Sequence, residues 1–300
     1  MIRLKSYAKI NLYLDIKEKM ENGYHCIETL FQTINIYDEI IIRKINKPIY
    51  QIKCDNPIVP VGRESIVYQA VDCLMRDKDY GVEIRIRKNI PVAAGLGGGS
   101  SNVASILAGI CKLFQLDVKP TRLINIALSL GMDIPFFLKR GTVYATGRGE
   151  LLYPILTAGN PLHVLLVNPG IKVSTKWAYD EFDKEIKGNF KETKITFNHY
   201  MNNYINKRKP LYLNEFGKHI YNRFDSIISR KFPVISEIKE KIIELGAVST
   251  TMSGSGPTVF GIMENSRQAK LACRELQNKY PYVCTAKTVK AKNIFLKNSF

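Results

Sequence analysis

The sequence predicts a mixed α+β protein built as two closely joined halves. Segments with the period of strands and segments with the period of helices are interspersed along its 300 residues. A glycine-rich loop stands between an alternating strand and an amphipathic helix, and a turn-rich stretch at 154–161 divides the chain. Because this length can hold two modest domains, we expect an N-terminal domain at 1–157 and a C-terminal domain at 158–300. Neither an internal repeat nor a flexible linker is visible.

The first half is predicted to open with two strands. The segment 5–16 alternates, with Ile10 and Leu12 on one face and Lys9 and Asn11 on the other. A turn at 21–23 leads into further strand-rich sequence. The elements expected before the boundary are strands at 5–16, 30–45, 82–86 and 142–145 and helices at 65–75, 101–114 and 121–130, the last capped by Thr121.

The second half shows the same mixture of periods. Its expected elements are strands at 162–167, 258–263 and 282–288 and helices at 213–229, 234–245 and 266–280. The segment 184–209 is polar and rich in Lys and Asn, which indicates a surface helix and loop.

Composition favours a packed protein that stays in the compartment where it is made. Hydrophobic residues make up 45% of the chain, and no apolar run approaches the roughly 20 residues that span a bilayer. The first residues lack the apolar core of a signal peptide. The six cysteines form no C-x-x-C pair, and no metal-ligand spacing is visible among the four histidines. We expect reduced cysteines, no protein-bound metal, no membrane partner and a cytoplasmic location.

The formal charge of +17 raises the alternative of a nucleic-acid-binding protein. The basic residues are dispersed along the chain, however, and the densest run, at 207–209, lacks interleaved aromatic residues. We therefore expect solvated faces with some attraction for anionic substrates and no nucleic-acid partner. The alternative predicts binding that falls steeply with salt.

The strongest local signal is the segment Pro91-Val92-Ala93-Ala94-Gly95-Leu96-Gly97-Gly98-Gly99-Ser100-Ser101. Its four glycines let the backbone approach an anion without obstruction by side chains. A helix that begins near Ser101 would direct unpaired N–H groups and its positive dipole end to the same place. The two serines add hydroxyls that can cap the helix or reach a phosphate or its metal ion. This arrangement predicts a polyphosphate-binding loop.

Two familiar glycine motifs do not match this loop. A Walker loop requires a lysine that the segment lacks. The dinucleotide fingerprint requires glycine where Ser100 or Asn102 stands. A flexible turn with a serine helix cap remains the structural alternative. A second cluster at 250–257, which contains Ser253 and Gly254, can approach the same ligand or form only a tight turn.

The motifs together resemble the GHMP kinases (galactokinase, homoserine, mevalonate and phosphomevalonate kinases). The matching segments are SYAKINL at 6–12, NGYH at 22–25, GLGGGSSN at 95–102, GMDIPF at 131–136, GRGE at 147–150 and SGSG at 253–256. The resemblance covers nearly the whole chain except about 184–211. The chain departs from the family at 222–225, where it has NRFD in place of N-D-(L/F)-E, and at Met132, where alanine is frequent.

This resemblance implies an ATP-dependent kinase that acts on an alcohol. It implies a two-domain fold, with an N-terminal domain like ribosomal protein S5 domain 2, an α+β C-terminal domain and an active site between them. ATP with its accompanying Mg²⁺ would be the phosphoryl donor. The finer motifs imply an acceptor that carries cytidine diphosphate, namely cytidine diphosphate methylerythritol, phosphorylated on a hydroxyl for isoprenoid precursor synthesis. Another kinase of the same family is the nearest rival.

The resemblance also implies roles for individual residues. Asp133 would be the general base and Lys9 its cationic neighbour, although the pattern alone favours an exposed strand lysine and allows a turn aspartate. Tyr24 and Tyr179 would stack on the cytosine and His25 would read its edge. The remaining expected substrate contacts are Asn11, Ser253 and Gly254.

Overall fold

The computed structural model describes residues 1–21, 23–186, 197–207 and 209–291. Strands and helices alternate through both halves, which confirms the predicted mixed α+β class. Asn22 and much of the segment predicted as a polar surface helix and loop, 187–196 and 208, lie outside the described residues. Within the described part, no helix is long and apolar enough to cross a membrane.

The N-terminal half is built on a sheet with the strand order β10-β1-β2-β4-β3. Two long antiparallel strands, which pair along most of their length, form its centre. The strands are β1 (Ile2–Lys19), β2 (His25–Ile45), β3 (Tyr50–Cys54), β4 (Gly81–Arg87), β5 (Thr142–Thr146), β6 (Leu151–Pro154) and β10 (Tyr221–Asn222). The short β3, β6 and β10 were not predicted.

Four helices accompany this sheet: α1 (Ile66–Met75), α2 (Gly98–Leu113), α3 (Pro120–Leu130) and α4 (Ile134–Lys139). Ser65 caps α1 by accepting a hydrogen bond from the Tyr68 amide. The start of α2 corrects the sequence expectation, because the helix begins at Gly98 and includes two of the loop glycines. Thr121 is not the cap of α3 either, since Lys119 holds that position and Pro120 occupies the first turn.

The C-terminal half contains a four-stranded sheet of order β11-β12-β8-β13. Its strands and those of a separate two-stranded ribbon are β7 (Thr157–Ala158), β8 (His163–Asn168), β9 (Leu211–Tyr212), β11 (Ala247–Met252), β12 (Val259–Met263) and β13 (Tyr282–Lys287). The helices are α5 (Thr175–Ile186), α6 (Phe197–Asn206), α7 (Leu213–Phe216), α8 (Asp225–Lys231), α9 (Val234–Glu244) and α10 (Ser266–Leu276).

The single helix predicted at 213–229 is wrong. The segment forms α7, a 3₁₀ turn at Gly217–His219, β10 and α8 in succession. Its apolar spacing suits a helix, but β10 pairs in parallel with β1, so that Tyr13 lies opposite Tyr221 and Leu14 opposite Asn222. This strand pairing overrides the local periodicity, and it joins the C-terminal half directly to the N-terminal sheet.

The centre of β1 is buried on both faces. Ala8, Ile10 and Leu12 belong to a core cluster that also contains Leu162 and Phe260 from the C-terminal half. The opposite face carries Lys9 and Asn11, which are buried as well. The expectation of an exposed strand lysine at position 9 is therefore wrong, since alternation indicates which residues share a face but not what covers it.

Candidate active site

A cavity of about 250 Å³ lies where β1, the glycine loop, α4, α5 and the second glycine cluster meet. Lys9, Asn11, Asp133, Tyr179 and Gly254 line it. These five come from distant parts of the sequence, so the fold brings together most of the candidates that the motifs suggested.

Lys9 is the buried cation of this cavity. Its side chain is 5% exposed, and its Nζ lies 3.9 Å from Oδ2 of Asp133. Burial lowers the pKa of Lys9 from its ordinary value, and the negative charge of Asp133 opposes this effect. The backbone N–H of Lys9 donates to the carbonyl of Leu96 at 3.0 Å, which ties β1 to the glycine loop.

A short relay of hydrogen bonds orients Asn11 beside this lysine. Lys9 Nζ donates to Oδ1 of Asn11 at 2.5 Å. The Asn11 amide donates through Nδ2 to the hydroxyl of Thr29 at 2.8 Å, and that hydroxyl donates to the carbonyl of Tyr13 at 2.7 Å. The Asn11 amide nitrogen is engaged as a donor to Thr29, so the amide oxygen is the atom that faces the Lys9 ammonium and accepts from it. Thr29 was not anticipated from the sequence.

Asp133 occupies the N-cap position of α4 but makes no side-chain capping hydrogen bond. Its side chain is 39% exposed, whereas the α4 residues after it, Ile134 to Phe137, are buried. The carboxylate is therefore held at the cavity surface by a buried helix, where it can meet a ligand.

Close contacts explain two of the loop glycines. Gly95 has φ +75°, and a Cβ there would lie 2.0 Å from the carbonyl oxygen of Ser253. Gly97 has φ +68°, and its Cβ would lie 2.5 Å from Cζ of Phe137 and 3.1 Å from Cγ of Lys9. A side chain at either position would be strained and would displace its neighbours.

The second glycine cluster touches the first one. The hydroxyl of Ser253 donates to the carbonyl of Gly95 at 2.9 Å. The amide of the buried Asn222 donates to the carbonyls of Met252 and Gly254 at 2.9 and 2.7 Å. Ser253 is itself fully buried, so its hydroxyl joins the two clusters, while Gly254 and Ser255 reach the cavity.

A second cavity, of about 320 Å³, lies on the other side of the glycine loop. The two cavities share Ala93, Gly95 and Gly97 as a common wall. One part of the second cavity is apolar, and the other is formed by Lys88 and the start of α2. Its lining includes Val59, Pro60, Ile66, Val67, Lys88, Pro91, Val92, Ala94, Gly98, Gly99 and Ser100.

Lys88 is held in place by a buried acidic residue. Its Nζ contacts Oδ2 of the fully buried Asp38, and a Cβ on Gly98 would lie 3.1 Å from the same Nζ. Asn102 joins Asp38 to Ser6 through hydrogen bonds of 2.8 and 3.0 Å. The loop contains no lysine, but this ammonium stands at the first turn of α2.

Ser100 and Ser101 differ in their surroundings. Ser100 lines the second cavity. The hydroxyl of Ser101 is buried and accepts a hydrogen bond from Ser6 at 2.7 Å. Of the two hydroxyls that the sequence proposed for a ligand, the structure directs Ser101 into the protein interior.

The three aromatic candidates are placed differently from one another. The rings of His25 and Tyr179 stack with centroids 4.8 Å apart. Tyr24 is 56% exposed, with the guanidinium of Arg148 over its ring at 5.3 Å. Burial, and then the charge of Asp133, raise the pKa of Tyr179 to about 12. Among the described residues, Tyr179 lines the first cavity, whereas Tyr24 and His25 do not.

Several lining residues escaped the sequence analysis. Thr175 and Ser255 share a hydrogen bond of 2.8 Å at the mouth of the first cavity, and Phe224 packs edge-on against Tyr179 at 4.9 Å. Lys88 had a usable signal, because it follows an alternating strand directly before the glycine loop. Thr175 and Phe224 had none, since only tertiary packing brings them to the site.

The chain matches two family models. The model described as "GHMP kinases N terminal domain" matches residues 65–141, and the one described as "GHMP kinases C terminal" matches residues 211–281. Both segments contribute to the cavities, the first through the glycine loop and Asp133 and the second through Gly254.

Whole-chain relatives agree with these matches. The chain is 38% identical over 291 residues to a protein of Caldanaerobacter subterraneus subsp. tengcongensis, covering 96% of this chain and 97% of the relative. It is also 38% identical over 282 residues to a protein of Acetivibrio thermocellus, covering 92% and 95%. Both relatives are named 4-diphosphocytidyl-2-C-methyl-D-erythritol kinase.

Solved structures show the same fold. A crystal structure of 4-(cytidine 5'-diphospho)-2C-methyl-D-erythritol kinase superposes with a TM-score of 0.76 at 27% identity, covering 96% of this chain and 99% of that one. Homoserine kinase from Cytophaga hutchinsonii superposes with a TM-score of 0.67 at 18% identity, covering 97% and 96%, which shows likeness of fold alone. The identities and coverage together establish that this chain is a member of the GHMP kinase family and an ATP-dependent kinase.

Proposed function

We propose that this kinase transfers the γ-phosphoryl group of ATP to a hydroxyl of 4-diphosphocytidyl-2-C-methyl-D-erythritol. The observation that carries the proposal is the pairing of buried Lys9 with Asp133 in a cavity that shares its glycine wall with a second cavity. One cavity suits a nucleotide and the other an acceptor. The phosphoryl group would pass between them at Gly95 and Gly97.

The lining of the second cavity suggests an orientation for ATP. Its base would lie against the apolar side formed by Val59, Pro60 and Ile66. Its phosphates would meet the amides of the loop and of the first turn of α2, where the helix dipole favours negative charge. Lys88 would add a positive charge at the same point, a role that loop lysines have in other nucleotide-binding proteins.

The first cavity supports the chemical step. Asp133 accepts the proton of the acceptor hydroxyl as its oxygen forms a bond to the γ-phosphorus. The bond from that phosphorus to the bridging oxygen of ATP breaks, and ADP leaves. Lys9 faces the carboxylate of Asp133 and stabilises the negative charge on the transferring group. Asn11 holds the ammonium in place through its amide oxygen.

The donor set around the site suits a Mg²⁺ ion that arrives with ATP. Such an ion binds through phosphates, waters and one or two carboxylates, and it neutralises phosphate charge. No cluster of three His, Cys, Asp or Glu side chains is present in the described ranges. Asp133 lines the first cavity and Ser100 the second, and their side-chain oxygens would be available to such an ion.

Support for a cytidine acceptor comes from the aromatic group beside the first cavity. Tyr179 would stack on the base, Tyr24 would cover it from the exposed side and His25 would bind its edge. Gly254 would contact the acceptor through its backbone, and Ser253 would act by holding the loop.

The free thiols of all six cysteines fit the proposed cytoplasmic location.

An ADP-release assay with a panel of alcohols tests the proposal. We expect phosphorylation of cytidine diphosphate methylerythritol, with homoserine and mevalonate inactive at the same concentrations. Turnover of either of these instead would favour the rival kinases. Binding to RNA that falls steeply with salt, together with no ATP turnover, would support the nucleic-acid alternative.

A further inference from the structure

One face of α5 holds the imidazole of His25. Tyr179, Phe182 and Asp183 follow one another at the i, i+3 and i+4 positions, which lie on the same side of a helix. Tyr179 stacks on the imidazole with an interplanar angle of 17°. The Phe182 ring meets it edge-on at 5.8 Å. The ring plane of His25 is therefore fixed by two aromatic contacts.

Asp183 supplies the polar contact that fixes which ring nitrogen faces the helix. Its Oδ1 lies 2.6 Å from Nε2 of His25, whose side chain is 6% exposed. Its Oδ2 contacts Nζ of Lys19, the residue opposite His25 in the β1–β2 ladder. Burial acts to raise the pKa of Asp183, but the hydrogen bonds from Lys19 and His25 outweigh it and leave that pKa below its ordinary value.

We propose that Asp183 is a positioning residue that holds His25 in its Nε2–H tautomer and thereby makes the kinase select cytosine over uracil. This inference rests on the proposed function, because it concerns the base of the acceptor. Asp183 acts through His25 and need not touch the acceptor itself.

The tautomer follows from the charges around the ring. An ionised carboxylate only accepts, so Nε2 must donate its hydrogen to Asp183. Lys19 also contacts this carboxylate, through Oδ2, so that Oδ1 is the oxygen that faces the imidazole. In a neutral ring whose Nε2 carries the hydrogen, Nδ1 is an acceptor.

An acceptor at Nδ1 distinguishes the two pyrimidines. Cytosine carries an amino group at C4, which donates, whereas uracil carries a carbonyl oxygen there, which accepts. Cytosine can therefore form a hydrogen bond to Nδ1, and uracil would place two acceptors against each other. Sites with a fixed hydrogen-bonding sense reject the mismatched analogue, because a polar group is left unpaired.

Nitrogen-detected histidine spectra of the ¹⁵N-labelled protein test the tautomer without any substrate. We expect His25 to show the Nε2–H form, assigned by comparison with His25→Gln. Asp183→Asn should shift the His25 signals, because an asparagine can donate to Nε2 and favour the Nδ1–H form. Asp180→Asn, at an exposed position on the same helix, is the matched control and should leave them unchanged.

Kinetics with cytidine and uridine diphosphate forms of the acceptor test the selectivity. Asp183→Asn should raise the KM for the cytidine acceptor by about tenfold and narrow its preference over the uridine form, consistent with one lost oriented hydrogen bond. The turnover at saturation and the KM for ATP should stay within about twofold, since the chemistry is untouched. Asp183→Glu should restore part of the preference, and circular dichroism checks that each variant is folded.

The outcomes separate the inference from the function on which it rests. An Nδ1–H or doubly protonated His25 in the parent protein overturns the inference, whatever the acceptor is. Unchanged selectivity in a folded Asp183→Asn variant whose tautomer has changed also overturns it. A parent enzyme with the expected tautomer that phosphorylates neither pyrimidine acceptor refutes the proposed function, and with it the selectivity that we assign to Asp183.

Discussion

Replacing Asp133 with asparagine tests the proposed chemistry most directly. Asparagine keeps the size of the side chain but removes the carboxylate that accepts the hydroxyl proton. A general base contributes about 10²–10⁴ in rate, so turnover should fall by a factor in that range. The fold should be retained, because Asp133 makes no capping hydrogen bond to α4 and its side chain is partly exposed.

The same substitution removes a charge that acts on Lys9. At 3.9 Å between Nζ and Oδ2, two unit charges attract by about 4 kcal/mol at an effective dielectric constant of ~20 and by about 1 kcal/mol in water. The partial exposure of Asp133 moves the effective value toward the lower figure. Since burial lowers the pKa of Lys9 and Asp133 opposes it, that pKa should fall further in the variant. Lys9 is charged below its pKa, so the alkaline decline of the residual activity should move to lower pH.

Single-turnover phosphoryl transfer at saturating ATP and acceptor, measured across pH, provides both the fall in rate and the shift of the alkaline decline. Asp117→Asn, which removes an exposed carboxylate between α2 and α3, is the matched control and should behave like the parent. A folded Asp133→Asn variant within about threefold of the parent rate would refute the general-base role, because even the low end of the effect is about a hundredfold. If the alkaline decline of the variant occurred at the same pH as in the parent, the pKa of Lys9 would not depend on Asp133.

Three further predictions concern the glycine loop, the hydrogen-bond relay through Asn11 and Thr29, and the recognition of cytosine. Gly95→Ala should lower the melting temperature and weaken ATP binding, because the added Cβ would lie 2.0 Å from a carbonyl oxygen. Gly99→Ala should weaken ATP binding without destabilising the fold, because a Cβ at that position would have no protein atom within 4 Å. Equal melting temperatures in the two variants would contradict this account. Thr29→Val should reduce turnover by about tenfold and Thr29→Ser should restore it, since the hydroxyl orients the amide beside Lys9; a fully active valine variant would show that the relay is dispensable. Tyr179→Ala should raise the dissociation constant of the cytidine acceptor by about tenfold and more than Tyr24→Ala does, with unchanged ATP affinity in a calorimetric titration. If both variants bound the acceptor as tightly as the parent does, the cytosine would not bind between these two tyrosines.

The sequence was most informative where function is encoded locally. The glycine run, its strand before and its helix after were all identified from composition and period, because a backbone that approaches phosphates needs those residues in that order. The motif resemblance also anticipated that Lys9 and Asp133 would be neighbours, as the structure shows. Their catalytic roles stay predictions, as do the proposed domain boundary and the ligand contacts.

Features that depend on distant pairing were not accessible in this way. The apolar spacing at 213–229 satisfies a helix, and only the pairing of Tyr221 with Tyr13, 208 residues away in sequence (221 − 13), turns part of it into a strand. The burial of Lys9 depends on contacts that the alternation in β1 cannot reveal. His25 and Asp183 are 158 residues apart, and neither lies in a pattern that indicates the other.

The parallel pairing of β10 with β1 has a thermodynamic consequence. A strand from the second half completes the sheet of the first, and one apolar cluster contains Ile10 and Leu30 together with Val164 and Phe260. Cleavage near residue 157 would leave these surfaces exposed to water, so the halves should not melt as independent units. A single calorimetric transition is therefore expected. Nucleotide bound at the glycine loop should raise the melting temperature of α9 and α10 as much as that of α2, because a ligand stabilises every element that unfolds together with its binding site.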